Sequence, residues 1–327
     1  MLNNLSLLPQ PRHLTLFDGA MALPNHRLIV LDTYTPQSLR FIANRIQQAL
    51  RDQAQVNWPI VAGNAVSAEK IGLTLSLVPG SVNHPQGYEL TITPSGIFIV
   101  AGTPAGAFYG GLTLIQILGQ SGDQLPLLRS SDWPDFPNRG VMLDISRDKV
   151  PAMETLFNLV DLLASWKINQ LQLYTEHTFA YQNHPDVWAD ASPITGQEIL
   201  TLDAYCRERF IELVPNQNAF GHMRRWLIHP RYNPLAECPH GCDTGNPEWG
   251  YFDEPFTLCP EDPESLNLVR SLMDELLPHF SSHQLNIGGD EPVELGQGRS
   301  RQAVAERGKG RVYLDFLLKL YQEVKAR

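Results

Sequence analysis

The stretch RGVMLDISRDKVPAMETLFNLVDLLASWKINQLQLYTEH, residues 139–177, carries the alternation on which the fold turns. Gly140–Ile145 (GVMLDI) is an apolar run of strand length and reads as a buried strand. Pro151 then opens a helix over Ala152–Trp166, and Ile168–Tyr174 (INQLQLY) reads as the next strand. The succession continues with a helix over Gln197–Arg209, a strand over Ile211–Val214, a helix over Pro263–Phe280 and a strand at Leu285–Ile287. An amphipathic helix over Arg311–Lys325 closes the chain. Four strand–helix units in series predict a parallel sheet with crossover connections.

Polar residues collect just after each strand: Ser146-Arg147-Asp148, Thr175-Glu176-His177, Asn216-Gln217-Asn218 with His222, and Asp290-Glu291. That is the C-terminal rim of the strands, where α/β barrels build their sites. The last group ends QLNIGGDEP (284–292), a short β run that meets a glycine pair and two adjacent carboxylates. Alone it would read as an acidic surface turn. As the fourth member of a series of polar strand ends it reads as a site element.

Upstream, residues 1–128 read as a small α/β domain. Arg27–Leu31 is a short apolar strand, and Leu39, Ile42, Ile46 and Leu50 share one face of a helix that follows Pro36. Ile71–Leu77, Tyr88–Thr93 and Ile97–Val100 are β runs, the last two joined by the turn TPSG (93–96). A helix begins after Gly102, with Leu112, Ile115, Gln116 and Leu118 on one face. A linker, 129–138, rich in Pro, Asp and Ser, separates this domain from the strand–helix series of 139–327.

Composition narrows the partners. A net charge of −10 and a pI near 5.4, with no basic patch, argue against a nucleic-acid partner. The N-terminal MLNNLSLLPQPRH has neither the basic start nor the apolar core of a signal peptide, and no apolar run has membrane-spanning length. A cytoplasmic location and no membrane partner are expected. Four cysteines, Cys206, Cys238, Cys242 and Cys259, are too few for a disulfide scaffold, and the C-x-H-x-C of 238–242 is not a usual zinc pattern. Reduced thiols are expected.

RGVMLDISR (139–147), KIN (167–169), the proline-to-Gly-His run of 215–222 and IGGDE (287–291) occur in the order found in glycoside hydrolase family 20, the β-N-acetylhexosaminidases. QGYELTITPSGIFIVAGTPAGAFYGGLTLIQIL (86–118) resembles that family's small N-terminal domain, so the resemblance covers roughly residues 86–292. It implies a small N-terminal α+β domain before a (β/α)8 TIM-barrel-type catalytic domain. The implied reaction is retaining, substrate-assisted removal of terminal β-linked N-acetylglucosamine or N-acetylgalactosamine, with no metal or organic cofactor. Asp290 and Glu291 match the family's catalytic pair, Arg139 an arginine that bonds sugar hydroxyls, and His222 the histidine behind the catalytic acid.

On this reading Glu291 donates a proton to the leaving oxygen, its pKa raised by partial burial and by Asp290. Asp290 stays ionised and holds the acetamido N–H, so that the substrate's own carbonyl attacks through an oxazolinium-like intermediate. Read from residues alone, the lesser alternatives are that Arg139 is a solvated residue at a domain junction and His222 a satisfied structural histidine. Asp144 and Arg147 read as a structural ion pair at a strand end.

The chain departs from the family at Asn286, Gln172 and Tyr174, where the family usually has histidines, and at Asn216 and Asn218, where it has acids. The family's relay acid falls at His177, with Glu176 one place earlier, so that either Glu176 takes over its job or the relay is rearranged. Only about four strand–helix units follow Arg139, against the eight and the about 250 residues of a complete barrel. The expectations are therefore a fragment of a longer protein, or a half-barrel that pairs as a homodimer or with a missing second half. Two other functions stay open: a non-catalytic sugar-binding or assembly module, and a metal-dependent hydrolase using Glu176, His177, His222 and Asp290, which lack HExxH or similar spacing.

Overall fold

A computed structural model describes residues 5–63, 66–147, 149–245 and 247–327; Asp148 of the first polar strand end lies outside them. The chain divides into two compact units. One comprises residues 1–139 with Leu162–Ile168 and Glu208–Phe210; the other comprises Gly140–Asp161, Asn169–Arg207 and Ile211–Arg327.

The first unit contains β1 (His13–Ala22), β2 (Leu28–Asp32), α1 (Arg40–Ala54), β3 (Ile60–Ala62), β4 (Ile71–Leu77), β5 (Tyr88–Thr93), β6 (Gly96–Ala101), α2 (Pro104–Ser121) and β7 (Gln124–Asp132). Its strands form one mixed sheet in the order β1-β7-β5-β6-β4-β2-β3. The TPSG turn closes a β5–β6 hairpin whose register ends at Thr93 opposite Gly96. The apolar face of α1, namely Ile42, Ala43, Ile46 and Leu50, is buried, as are Ile29, Leu73, Leu75, Leu90 and Ile99 of the sheet. The start of α2 is set by Thr103, whose Oγ1 accepts from Gly106 N at 3.2 Å, with Pro104 in the first helical position. The first four residues of the expected linker belong to β7.

Within this unit Lys167 is buried and donates from Nζ to Asp132 Oδ2 at 2.9 Å and to Tyr88 Oη at 3.0 Å. Burial drives the ammonium's pKa below its ordinary value, against the opposing charge of Asp132.

The second unit contains β8 (Gly140–Asp144), α3 (Met153–Ser165), β9 (Gln170–Tyr174), α4 (Pro185–Trp188), α5 (Gly196–Glu208), β10 (Glu212–Val214) and α6 (Arg224–Leu227). A short hairpin of β11 (Cys242–Asp243) and β12 (Tyr251–Phe252) follows, then α7 (Pro263–Leu276), α8 (Arg301–Arg307) and α9 (Lys309–Lys325). β8, β9 and β10 are parallel, in the order β10-β9-β8, with Gly140 opposite Gln170 and Gln170 opposite Glu212. Each is followed by helix, as the alternation predicts.

Two strand expectations need correction. The segment Leu285–Ile287 is not a strand; among the described residues its pairing is a single parallel bridge, Asn286 to Asn216. Asn286 N donates to Pro215 O and Gln217 N to Asn286 O, and the ladder then stops where Gly288 turns to φ +50°. Among the described residues of the second unit the parallel sheet has three strands rather than four. β8, expected buried, is the edge of the sheet: Val141 is 37% and Met142 46% exposed, and burial begins just beyond it, at Ile145 and Ser146. Its apolar run fits a two-sided interior, yet among the described residues it pairs on one side only.

Candidate active site

The polar strand ends of the second unit converge on His222. This residue follows β10 in a loop, with its backbone in the left-handed region (φ +56°) and its ring 8% exposed. Its Nε2 lies 3.1 Å from Glu291 Oε2 and 3.8 Å from Asp290 Oδ2, and its Nδ1 lies 3.4 Å from Glu176 Oε1. An imidazolium in this position can donate from one nitrogen to Glu291 and from the other towards Glu176. Burial opposes that charge. The hydrogen bond and charge of Glu176 outweigh it, helped by Asp290 and Glu291, and the net result is a raised pKa.

Glu176 is fixed in turn. Tyr174 Oη donates to its Oε1 at 3.0 Å, its N–H donates to Ser146 Oγ at 2.8 Å, and its carbonyl accepts from Trp226 Nε1 and Gln217 Nε2. The same carboxylate raises Tyr174, although burial is the larger cause. The residue next to it, His177, is buried but faces elsewhere, lining a cleft of about 600 Å³ with Ser146, Lys149, Asp186 and His229. Of the two candidates for the relay position, Glu176 is the one in contact with His222.

Glu291 and Asp290 are less buried than the sequence reading required: their side chains are 44% and 62% exposed. Glu291 also adopts a left-handed backbone (φ +47°). It borders a cleft of about 430 Å³ walled by Trp249, Pro292, Val293, Leu295 and Tyr313. The loop that carries both acids is held by Tyr313 Oη, which donates to Gly289 O at 2.9 Å.

Gly221 explains why glycine precedes the histidine. A Cβ built there would lie 2.5 Å from Asp290 O and 2.6 Å from Glu291 O. The backbone of the acid pair therefore packs directly on the backbone of the Gly-His turn, and no side chain fits between them.

Arg139 is not among the residues gathered here. It belongs to the first unit, just before β8 in the chain, and its guanidinium donates within that unit to Lys167 O at 2.9 and 2.7 Å and to Phe136 O at 2.7 Å. Arg147, at the rim end of the same strand, does reach the cluster: it pairs with Asp144, lies 3.7 Å from Glu176 Oε1 and keeps 58% of its side chain exposed. Asn286, Gln172 and Asn216 are three of the five positions where the sequence departs from the family. Asn286 Nδ2 donates to Gln172 Oε1 at 3.0 Å, and Asn216 Oδ1 accepts from Thr175 N at 2.7 Å. Neutral amides thus bridge neighbouring strand ends.

His222, Asp290 and Glu291 place one ligand atom each within 4.8 Å of one another, a spacing that could hold a cation. The imidazole–carboxylate hydrogen bond accounts for the same proximity. No helix among the described residues is long and apolar enough to cross a membrane.

A family model described as glycosyl hydrolase family 20, domain 2, matches residues 4–133, and one described as glycosyl hydrolase family 20, catalytic domain, matches residues 136–309. Among known proteins, a β-hexosaminidase of Akkermansia muciniphila is 30% identical over 232 residues, 64% of this chain and 46% of that protein. A β-hexosaminidase of Porphyromonas gingivalis is 24% identical over 88% of this chain and 39% of its own length. Among solved structures, the chitobiase of Flavobacterium johnsoniae superimposes with a TM-score of 0.80 at 22% identity, covering 98% of this chain and 51% of that one. The chain spans about half the length of the relatives it matches. The structural likeness gives the fold as an N-terminal domain followed by a barrel-type catalytic domain. With both family models matching in sequence order and together covering most of its length, the chain belongs to glycosyl hydrolase family 20.

Proposed function

We propose that this chain carries the catalytic acids of a β-N-acetylhexosaminidase that works by retaining, substrate-assisted hydrolysis. The observation that carries the reading is the His222–Glu291 contact at 3.1 Å, backed by Glu176 on the other ring nitrogen. A proton on His222 can be shared with Glu291, which is what an acid that must later act as base requires. Glu291 protonates the leaving oxygen and then activates water. Asp290, loosely placed at 3.8 Å from the imidazole and exposed, is available to accept the substrate's acetamido N–H. That bond aims the acetamido carbonyl at the sugar carbon and stabilises the positive charge of the oxazolinium ion.

Arg147 is the better candidate for sugar hydroxyls than Arg139. Its fork of donors is exposed beside the acids, whereas the guanidinium of Arg139 is spent on carbonyl groups. The cleft beyond Glu291, with Trp249 and Tyr313, suits the leaving group, because an aromatic wall gives a sugar ring a flat apolar face to lie on.

Release of the aryl group from an aryl β-N-acetylglucosaminide tests the assignment. Glu291→Gln removes the general acid and is expected to lower turnover by about 10²- to 10⁴-fold while leaving the binding of a thiazoline mimic of the intermediate intact. Asp290→Asn is expected to weaken that binding as well. Parent-level turnover in Glu291→Gln would overturn the role of Glu291, and a parent chain that binds the mimic without turnover would mark a sugar-binding module instead.

A further inference from the structure

A second cluster of ligand-bearing side chains lies behind the acid loop and takes no part in the chemistry above. Cys238, Cys242 and Glu294 each place one ligand atom within 4.8 Å of the other two. Cys238 is 4% exposed and Glu294 wholly buried, while Cys242 is half-buried. One oxygen of Glu294 is used: Oε2 accepts from Phe256 N at 3.1 Å and Thr257 N at 2.8 Å. The other, Oε1, is buried without a hydrogen-bond partner. An orphaned carboxylate oxygen in the interior is a costly arrangement for a fold that has no further use for it.

The backbone is built to bring these groups together. Three residues separate the two cysteines in Cys238-Pro239-His240-Gly241-Cys242, a gap inside the roughly two-to-four-residue range of paired zinc cysteines, although the run as a whole, with His240 between them, is not a usual zinc pattern. The turn between them needs Gly241, which sits at φ +75° and whose added Cβ would meet Phe252 O at 2.1 Å. Glu237, next to Cys238, anchors this turn to the segment that follows Glu294, accepting from Gly298 N, Ser300 N and Ser300 Oγ. At Gly298 an added Cβ would come within 2.8 Å of Cys238 Sγ, so the thiol has a fixed seat.

From these contacts we infer that Cys238 Sγ, Cys242 Sγ and Glu294 Oε1 form a binding site for a divalent cation of zinc type. Thiolate, thiolate and carboxylate are a donor set that zinc takes readily, with water completing the tetrahedron on the side where Cys242 is half-exposed. Ligand atoms around tetrahedral zinc are about 3.7 Å apart for sulfur at about 2.3 Å from the metal. Separations of up to 4.8 Å close onto such an ion with movements of about 1 Å. The ion would tie three segments together: the turn of the cysteines, the hairpin that leads to Trp249, and the Glu294 segment three residues beyond Glu291. It would act as a brace for the acid loop and its cleft, remote from the reacting atoms.

The test uses the full chain isolated without chelator, with metal content measured after dialysis. One zinc per chain is expected, with a lowered Tm on removal by a strong chelator and recovery on adding zinc. Replacing the zinc with cobalt is expected to produce sulfur-to-cobalt charge-transfer absorption in the near ultraviolet. That absorption should be lost in Cys242→Ser, weakened or lost in Glu294→Gln, and kept in Cys259→Ser, whose thiol lies outside the cluster. Because the parent is measured first, a variant that fails to fold does not decide the matter. A parent that retains no zinc and shows no charge-transfer band overturns the proposal, as does a Cys238–Cys242 disulfide mapped in freshly isolated, thiol-blocked protein.

Discussion

Gly221→Ala isolates the contact between the Gly-His turn and the acid pair. The new methyl would sit 2.5 Å from Asp290 O, against the 3.4 Å at which ordinary contact begins, a shortfall of about 0.9 Å. Both obstructing atoms are backbone carbonyl oxygens, Asp290 O and Glu291 O, so no rotamer change relieves the clash. The loop of the acids must move away by most of that distance. Overpacking of this kind costs about 1–3 kcal/mol, and a misplacement of about 1 Å at catalytic groups costs about 10²-fold in rate. We therefore expect a lower Tm and a fall of about 10²-fold in kcat/KM on an aryl β-N-acetylglucosaminide, with most of the loss in kcat. Gly119→Ala serves as the control, since Gly119 lies on the exposed side of α2 and an added Cβ meets nothing within 4 Å. It should stabilise the protein by up to about 1 kcal/mol and leave the kinetics unchanged. If Gly221→Ala lowered stability but kept full kcat, backbone packing at this glycine would not be what positions the acids.

Other expectations follow from the same geometry. His222, its pKa raised, contributes stability that is fully present below its ordinary pKa near 6.5 and is lost as pH rises through the folded value. Glu176→Gln should lower the pH at which His222 loses its proton, read by NMR of labelled imidazole, and an unmoved titration would remove Glu176 from the relay. Asp132→Asn leaves the buried Lys167 without its counter-charge and should cost about 3–5 kcal/mol in denaturant unfolding. Arg147→Met should raise KM more than Arg139→Met does if Arg147 binds substrate; equal effects would refute that assignment.

Much of this architecture is legible in the sequence because local pattern and tertiary environment agree. The β5–β6 hairpin, α1, α2, β9 and β10 each show one period and one set of turn residues. β1 and β7 escape such reading for opposite reasons. β1 is exposed along almost its whole length, so selection leaves no alternation in HLTLFDGAMA. β7 contains Pro126, a residue that argues against an interior strand. The proline is tolerated because it pairs with Ala20 beside an irregularity in the β1 ladder, while β5 pairs only from Leu128 onward.

At the site, the acid pair and the Gly-His turn are visible as motifs. The choice between Glu176 and His177 is not, because both follow β9 and only the loop's path decides which side chain turns towards His222. Arg139 precedes and Arg147 follows the same strand in sequence, and motif order alone favours neither. Glu294 lies 52 residues beyond Cys242, so its place beside the cysteines is a product of folding that no local spacing reveals.

His222 and Glu291 both hold left-handed backbones, at φ +56° and +47°. For residues with a Cβ this conformation costs on the order of 1–2 kcal/mol each, and glycine is nearly exempt. At Glu291, whose side chain is half-exposed, a library screened only for heat resistance should therefore enrich glycine, whereas one screened for turnover should exclude it; the buried ring of His222 and its contacts offset the strain there. The same opposition would act on descendants of this protein. Glycine at 291, with the surrounding fold intact, would be the mark of a lineage that had kept the scaffold after giving up the chemistry.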